Sequence, residues 1–187
     1  MNTIKNLATA CGFALSATLF SVSNLYAKGT TKLTDPEIAN VAVTANKIDI
    51  EYAAIAEKKS KSADVLEFAK TMANDHKSVI DQAVALVTKL HVTPKDNSFS
   101  AKLLSDAAKT KKMLHSKSGA AFDKAYIDNE VAYHKAVVSA VETVLIPQAQ
   151  NAELKGLLEK VLPILKTHLE HAEMVQAKSS GHGAHKG

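Results

Sequence analysis

The chain has little of what would break or cross-link it. In 187 residues there is no tryptophan or arginine, one cysteine, 7 glycines and 4 prolines. Sparse turn punctuation argues against a sheet protein, in which strands recur every few residues between Gly- and Pro-rich turns. A lone cysteine excludes an intrachain disulfide framework. Basic charge comes only from lysine, interspersed with acids rather than in a block, which reads as a solvated surface and not a nucleic-acid footprint.

What is present is helix-forming. Hydrophobic residues make up 46% of the chain, much of it Ala, Leu and Val. The first 27 residues read as a secretory signal peptide. Lys5 supplies the basic lead, Leu7 to Phe20 an apolar run, and Leu25-Tyr26-Ala27 a small residue before the cut. Cleavage there removes Cys11 and Lys5 but no acid, so the mature chain has no thiol and one positive charge fewer. No later segment is apolar enough to cross a bilayer. The expected location is the periplasm.

Thr34-Asp35-Pro36-Glu37 is a helix start: Thr34 caps, Glu37 reciprocates and Pro36 is tolerated in the first turn. Helix one should run to about Lys59, with Ile38, Val41, Ala45, Ile48, Tyr52 and Ile55 inward. Helix two, capped by Ser62, should run to about His91 on a seam of Val65, Ala69, Met72, His76, Val79, Ala83, Leu86 and Leu90. A shorter helix over 100–116 carries Leu103, Leu104, Ala107, Ala108 and Leu114. Helix three should run from Ala120 to Ile146, with Phe122, Tyr126, Tyr133, Val137, Val141 and Val144 inward and Ile127, Glu130, His134 and Val138 flanking. Helix four has the seam Leu154, Leu157, Val161, Leu165, His168, Ala172 and Val175, with His171 beside it and a kink expected at Pro163. Short connections at 58–62 and 147–151 imply two antiparallel hairpins. The fold class is therefore all-α: a ferritin-like antiparallel four-helix bundle with a short crossover helix between helices two and three. The bundle domain spans 28–177, and a disordered tail 178–187.

Four histidines fall on or beside apolar seams. At 3.6 residues per turn, His76, His134, His168 and His171 can approach one layer of the core. Glu130 lies one helical turn before His134. Imidazole with carboxylate binds Zn, Cu, Fe or Mn, and Met72 and Met174 would add soft sulfur that favours copper. His76, Glu130, His134, His168 and His171 are thus the candidate metal ligands. Helix one could add Asp49 or Glu51 near that level, although Asp49, Glu51 and Asp75 fit better as solvated acids. The Glu-x-x-His pairs of a di-iron centre are missing, since Val131 and Leu165 precede His134 and His168 by three, so an enzyme is not the expected role. The competing reading is structural. Core histidines would then bond Tyr52, Tyr133, Glu130 or the Glu159 carbonyl freed by Pro163, in an envelope or stress-related interaction protein.

The stretches LTDPEIANVAVTANKIDI from Leu33, FAKTMANDH from Phe68, SGAAFDKAYIDNEVAYH from Ser118 and HLEHA from His168 resemble the DUF4142 family of exported bacterial proteins. The resemblance covers 31–177. It implies a ferritin-like fold and an envelope location, with an outer-membrane association, and it brings no activity. His76, His134, His168 and His171 fall on its motif positions.

Overall fold

The computed structural model describes residues 32–181; the expected signal peptide at 1–27 and the last six residues of the tail lie outside them. The described residues form five helices and no strand: α1 (Asp35–Lys59), α2 (Ala63–Lys89), α3 (Ser98–His115), α4 (Gly119–Ala140) and α5 (Ala152–Gly181). After α4 the chain continues through a π-helical turn, Val141–Leu145, and one further α turn, Ile146–Gln148. α1 packs chiefly on α2 and α4 on α5, while α3 lies against α1.

The helix ends are fixed by named groups. Glu37 Oε2 accepts from the Thr34 backbone N–H at 2.9 Å and from Thr34 Oγ1 at 2.8 Å, the reciprocal half of the cap read from the sequence. Both Asp35 oxygens reach across the fold to accept from Gln150 N at 2.8 Å and Asn151 N at 2.9 Å, tying the start of α1 to the connection before α5. Asn151 Oδ1 then caps α5 by accepting from Glu153 N and Leu154 N at 2.9 and 3.0 Å. At the other end Lys59 Nζ donates to the Leu114 and His115 carbonyls, at 3.1 and 2.7 Å, and closes α3.

Several details depart from expectation. α2 stops at Lys89, not His91, because Leu90 and His91 build a Schellman turn: His91 N–H bonds Thr88 O and Val92 N–H bonds Val87 O. Helix three is not one regular α-helix to Ile146. Pro147 has no N–H to give the Thr143 carbonyl and its ring crowds that carbonyl, and the preceding turn widens so that Ile146 N–H bonds Val141 O instead. On α3, Leu104 and Ala108 are exposed, and the inward stripe is Leu103, Ala107, Thr110 and Leu114. On α5, Leu158 rather than Leu157 is buried. Pro163 lies inside an unbroken helix on its exposed face, where water can bond the Glu159 carbonyl. α5 also runs past the expected tail start: Lys178 to Gly181 are helical, with Lys178 Nζ on Asp64 Oδ1 at 3.2 Å.

Two apolar clusters make the core. One gathers Ile48, Tyr52, Val65, Phe68, Met72, Phe122, Tyr126, Ile127, Ala172 and Val175; the other Ile38, Val41, Val79, Val141, Val144, Leu154, Leu158, Val161 and Leu165. On α2, α4 and α5 each helix passes from one cluster to the other through a buried histidine: His76, His134 and His168. On α1 the passage carries Asn46 and, beside Ile48, Asp49.

His91 holds φ at +51° in the turn that ends α2. A side chain there costs about 1 kcal/mol that glycine avoids. His91→Gly is expected to raise stability by about 1 kcal/mol and Tm by about 2–4 °C, measured by urea and thermal denaturation followed by circular dichroism.

Candidate metal centre

Three imidazole rings meet in the layer between the two apolar clusters. The His76 ring centroid lies 5.6 Å from that of His134 and 5.1 Å from that of His168, and His134 and His168 are 5.6 Å apart. All three side chains are buried, at 3%, 1% and 4% exposure. α2, α4 and α5 each bring one.

Each ring gives one nitrogen to a fixed oxygen. Asn46 donates through Nδ2 to the Ala42 carbonyl at 2.8 Å, which turns its Oδ1 to His76 Nδ1 at 2.7 Å. An amide oxygen only accepts, so His76 carries its proton on Nδ1. His134 Nδ1 faces the Glu130 carbonyl at 3.0 Å, and the same logic protonates that nitrogen. His168 Nε2 faces Asp75 Oδ2 at 3.0 Å and donates to it. The remaining nitrogens, His76 Nε2, His134 Nε2 and His168 Nδ1, are buried and have no hydrogen-bond partner. One ligand-capable atom from each of the three residues lies within 4.8 Å of the others. Metal-bound histidines are oriented in this way, with the far N–H held by a carboxylate, carbonyl or amide.

A second group shares His134. Asp49, Glu130 and His134 also bring one ligand-capable atom each to within 4.8 Å of one another. Asp49 and Glu130 are fully buried. Asp49 Oδ2 stands 3.5 Å from His76 Nε2 and 3.6 Å from His134 Nε2, too far for a hydrogen bond to either. Both Asp49 oxygens and Glu130 Oε2 lack a partner.

Sequence reasoning brought His76, Glu130, His134 and His168 to this layer correctly, but it put the stripe of helix three on Tyr133 rather than on Glu130 and His134. Tyr133 is half-buried and donates to the Ala45 carbonyl at 2.9 Å, not to a histidine. His171 stands apart: it packs edge-on against Phe68, centroids 5.1 Å apart, and belongs to neither group. Met174 is 58% exposed and brings no sulfur to the core. Asp49 is the main residue left outside the candidate ligands: its level on helix one fits the layer, but an acid beside inward-facing Ile48 lies near the edge of the stripe and fits a solvated role as well. The signal that could have found it is its spacing: Ala45, Asp49, Tyr52 and Ala56 share one helical face. Glu51, by contrast, is exposed and binds Lys111. Asp75 is half-exposed and reaches the layer only from outside, through His168.

The electrostatics are those of charges kept out of water. Burial raises the Asp49 carboxyl to about 8 and pushes Glu130 well above the usual carboxylate range, with the Asp49 charge adding to the latter. Burial lowers His134 to about 4 and His76 well below the usual imidazole value. His168 is lowered by burial and partly restored by Asp75. Without a cation the layer therefore holds neutral imidazoles and protonated carboxyls near neutral pH.

A family model described as Domain of unknown function (DUF4142) matches residues 22–175. The chain belongs to this family. No curated protein and no solved structure matches it. For a DUF4142 chain, then, the function has to be argued from the buried layer itself.

The shifts fix the pH dependence of the metal-free protein. Asp49 is raised, so its stabilising share is complete below about 4 and is lost as pH climbs towards about 8. His134 is depressed, so its share is complete above about 6.5 and is lost as pH falls towards about 4. The two oppose each other between those limits. Above about 6.5 only the carboxyl acts, at about 1.4 kcal/mol per pH unit per retained proton. Chelator-treated protein is expected to lose stability in urea between pH 6.5 and 8, and Asp49→Asn to flatten that slope.

Proposed function

We propose that the chain is an exported, ferritin-like helical-bundle protein of the bacterial periplasm that binds a transition-metal ion through His76, His134 and His168, with Glu130 beside them. One observation carries the metal: three buried imidazoles each give one nitrogen to a fixed oxygen and leave the other unpartnered in a shared space. A buried polar atom without a partner costs about 1–3 kcal/mol, and a cation removes three such costs at once. Metal–nitrogen bonds of about 2.0–2.1 Å are compatible with donors grouped this closely. The short α1–α2 connection and the α4–α5 hairpin joined by α3 support the ferritin-like arrangement. Export rests on the basic lead, apolar run and small residue of the first 27 residues.

The structural reading has one observation in its favour. Asn46–His76 ties α1 to α2, and Asp75–His168 ties α2 to α5, so the layer braces helix register without any ion. It leaves the three unpartnered nitrogens unexplained, and an envelope interaction role would then have to be sought on the surface.

Elemental analysis of tag-free protein purified from the periplasm is expected to give about one transition-metal ion per chain, lost in His134→Ala. Recovery of most of the protein in the cytoplasm would refute export, and no metal after incubation with zinc, copper, iron and manganese would return the layer to a bracing role. Asp75→Ala, which frees His168 to rotate, is expected to weaken binding about 10- to 100-fold in a chelator competition.

A further inference from the structure

We propose that Asp49 and Glu130 complete the histidine cluster as one mixed nitrogen–oxygen site for a single divalent first-row ion, and that Asp49 makes the site prefer divalent over soft monovalent ions. The proposal rests on the metal reading above and goes further in nuclearity, donor set and selectivity.

His134 decides the nuclearity. It belongs both to the group with His76 and His168 and to the group with Asp49 and Glu130. Its Nδ1 donates to the Glu130 carbonyl, so only Nε2 has a lone pair to offer. One lone pair serves one ion. The two groups therefore converge on the same ion rather than holding one each, unlike a carboxylate-bridged pair of metals.

Asp49 decides the donor set. Its Oδ2 lies 3.5 and 3.6 Å from the two Nε2 atoms of His76 and His134. Donors placed about 2.1 Å from a common tetrahedral centre stand about 3.4 Å apart. Asp49 Oδ2 thus stands from each of the two nitrogens at the spacing of ligands to one ion, and none of the three atoms has a hydrogen bond. A single proton on Asp49 can satisfy only one of the two facing nitrogens. A cation between them satisfies all three atoms. Glu130 Oε2, also without a hydrogen bond, lies 3.7 Å from His134 Nδ1, and Glu130 groups with Asp49 and His134 within 4.8 Å, so its carboxyl reaches the ion from beside Asp49.

Charge decides the selectivity. Three neutral imidazoles around a divalent ion leave its full charge uncompensated in a site closed to water, which is costly. Two carboxylates bring the sum to zero. A soft monovalent ion needs less compensation and gains little from hard carboxylate oxygen, so imidazoles alone suffice for it. No thiolate is present in the described residues and Met174 is 58% exposed; the buried Met72 thioether, one turn before His76, belongs to the apolar cluster with Phe68 and Tyr126.

The experiment measures zinc and silver(I) binding to tag-free protein by competition with chromophoric chelators, for the unaltered chain, Asp49→Asn, Glu130→Gln and the His76/His134/His168 triple-Ala variant. X-ray absorption at the zinc edge is recorded on the unaltered chain. The expected result is one zinc per chain with nitrogen and oxygen donors, zinc affinity reduced about 100-fold in Asp49→Asn, and silver affinity changed less than about threefold. Two zinc ions per chain, an all-nitrogen first shell, or equal losses for zinc and silver would overturn the proposal. So would zinc binding that the triple variant abolishes but Asp49→Asn leaves intact; in that outcome the metal reading stands and the mixed site falls. Zinc binding that survives the triple variant, or its absence from the unaltered chain, sinks both. The absorption spectrum needs no variant, so a substitution that unfolds the chain does not remove the test.

Discussion

The structure depends on a carboxyl that cannot reach water. Asp49 is fully buried, faces two imidazole nitrogens that have nothing to donate, and has no hydrogen bond of its own. Everything around it serves to hold those groups in place. Asn46 fixes the His76 ring, the α4 backbone fixes His134, and Asp75 fixes His168 from the solvent side. α1, α2, α4 and α5 each contribute, so their mutual register is set by one layer rather than by apolar contacts alone. The apolar clusters on either side are permissive by comparison, since Ala, Val, Leu and Ile can interdigitate in more than one way.

That layer costs stability. Apolar residues of similar volume in its place would leave no unpartnered atoms and no desolvated carboxyls, and such replacements are often neutral or stabilising. Near neutral pH the metal-free layer avoids charge only by keeping protons on its acids and off its bases. Those protons are what a cation displaces, because ligands must be deprotonated to bind. On the proposed reading, a bound cation would therefore stabilise the fold by the same free energy with which it binds.

Much of the fold was legible in the sequence because it is written in local chemistry. Thr34, Pro36 and Glu37 mark the start of α1, and the three- and four-residue spacing of α2 places Val65, Ala69, Met72, His76 and Val79 on the buried face. The misses have physical causes. Pro147 falls in the expected connection, whereas a π turn before it carries helical structure on to Gln148 and lets Val144 and Leu145 both point inward. Leu157 and Leu158 are adjacent and equally apolar, and only packing against the neighbouring helices chooses between them. Lys178 reads as the edge of a tail until Asp64, distant in sequence, gives it a partner.

The site was legible in part for a similar reason. A histidine in an apolar seam stands out, and three of the four singled out do meet. His171 shares a seam edge with His168, but three residues on it lies about 60° round α5 and nearly a turn further along, where its ring finds Phe68 instead. Asp49 was hidden by its type: an acid on an amphipathic helix is usually solvated, and nothing local distinguishes it from Glu51. Only the approach of α2 and α4 separates them, burying one carboxyl against two imidazoles and leaving the other on Lys111. A cluster assembled from several helices is therefore read from sequence most readily through its histidines, and least readily through its acid.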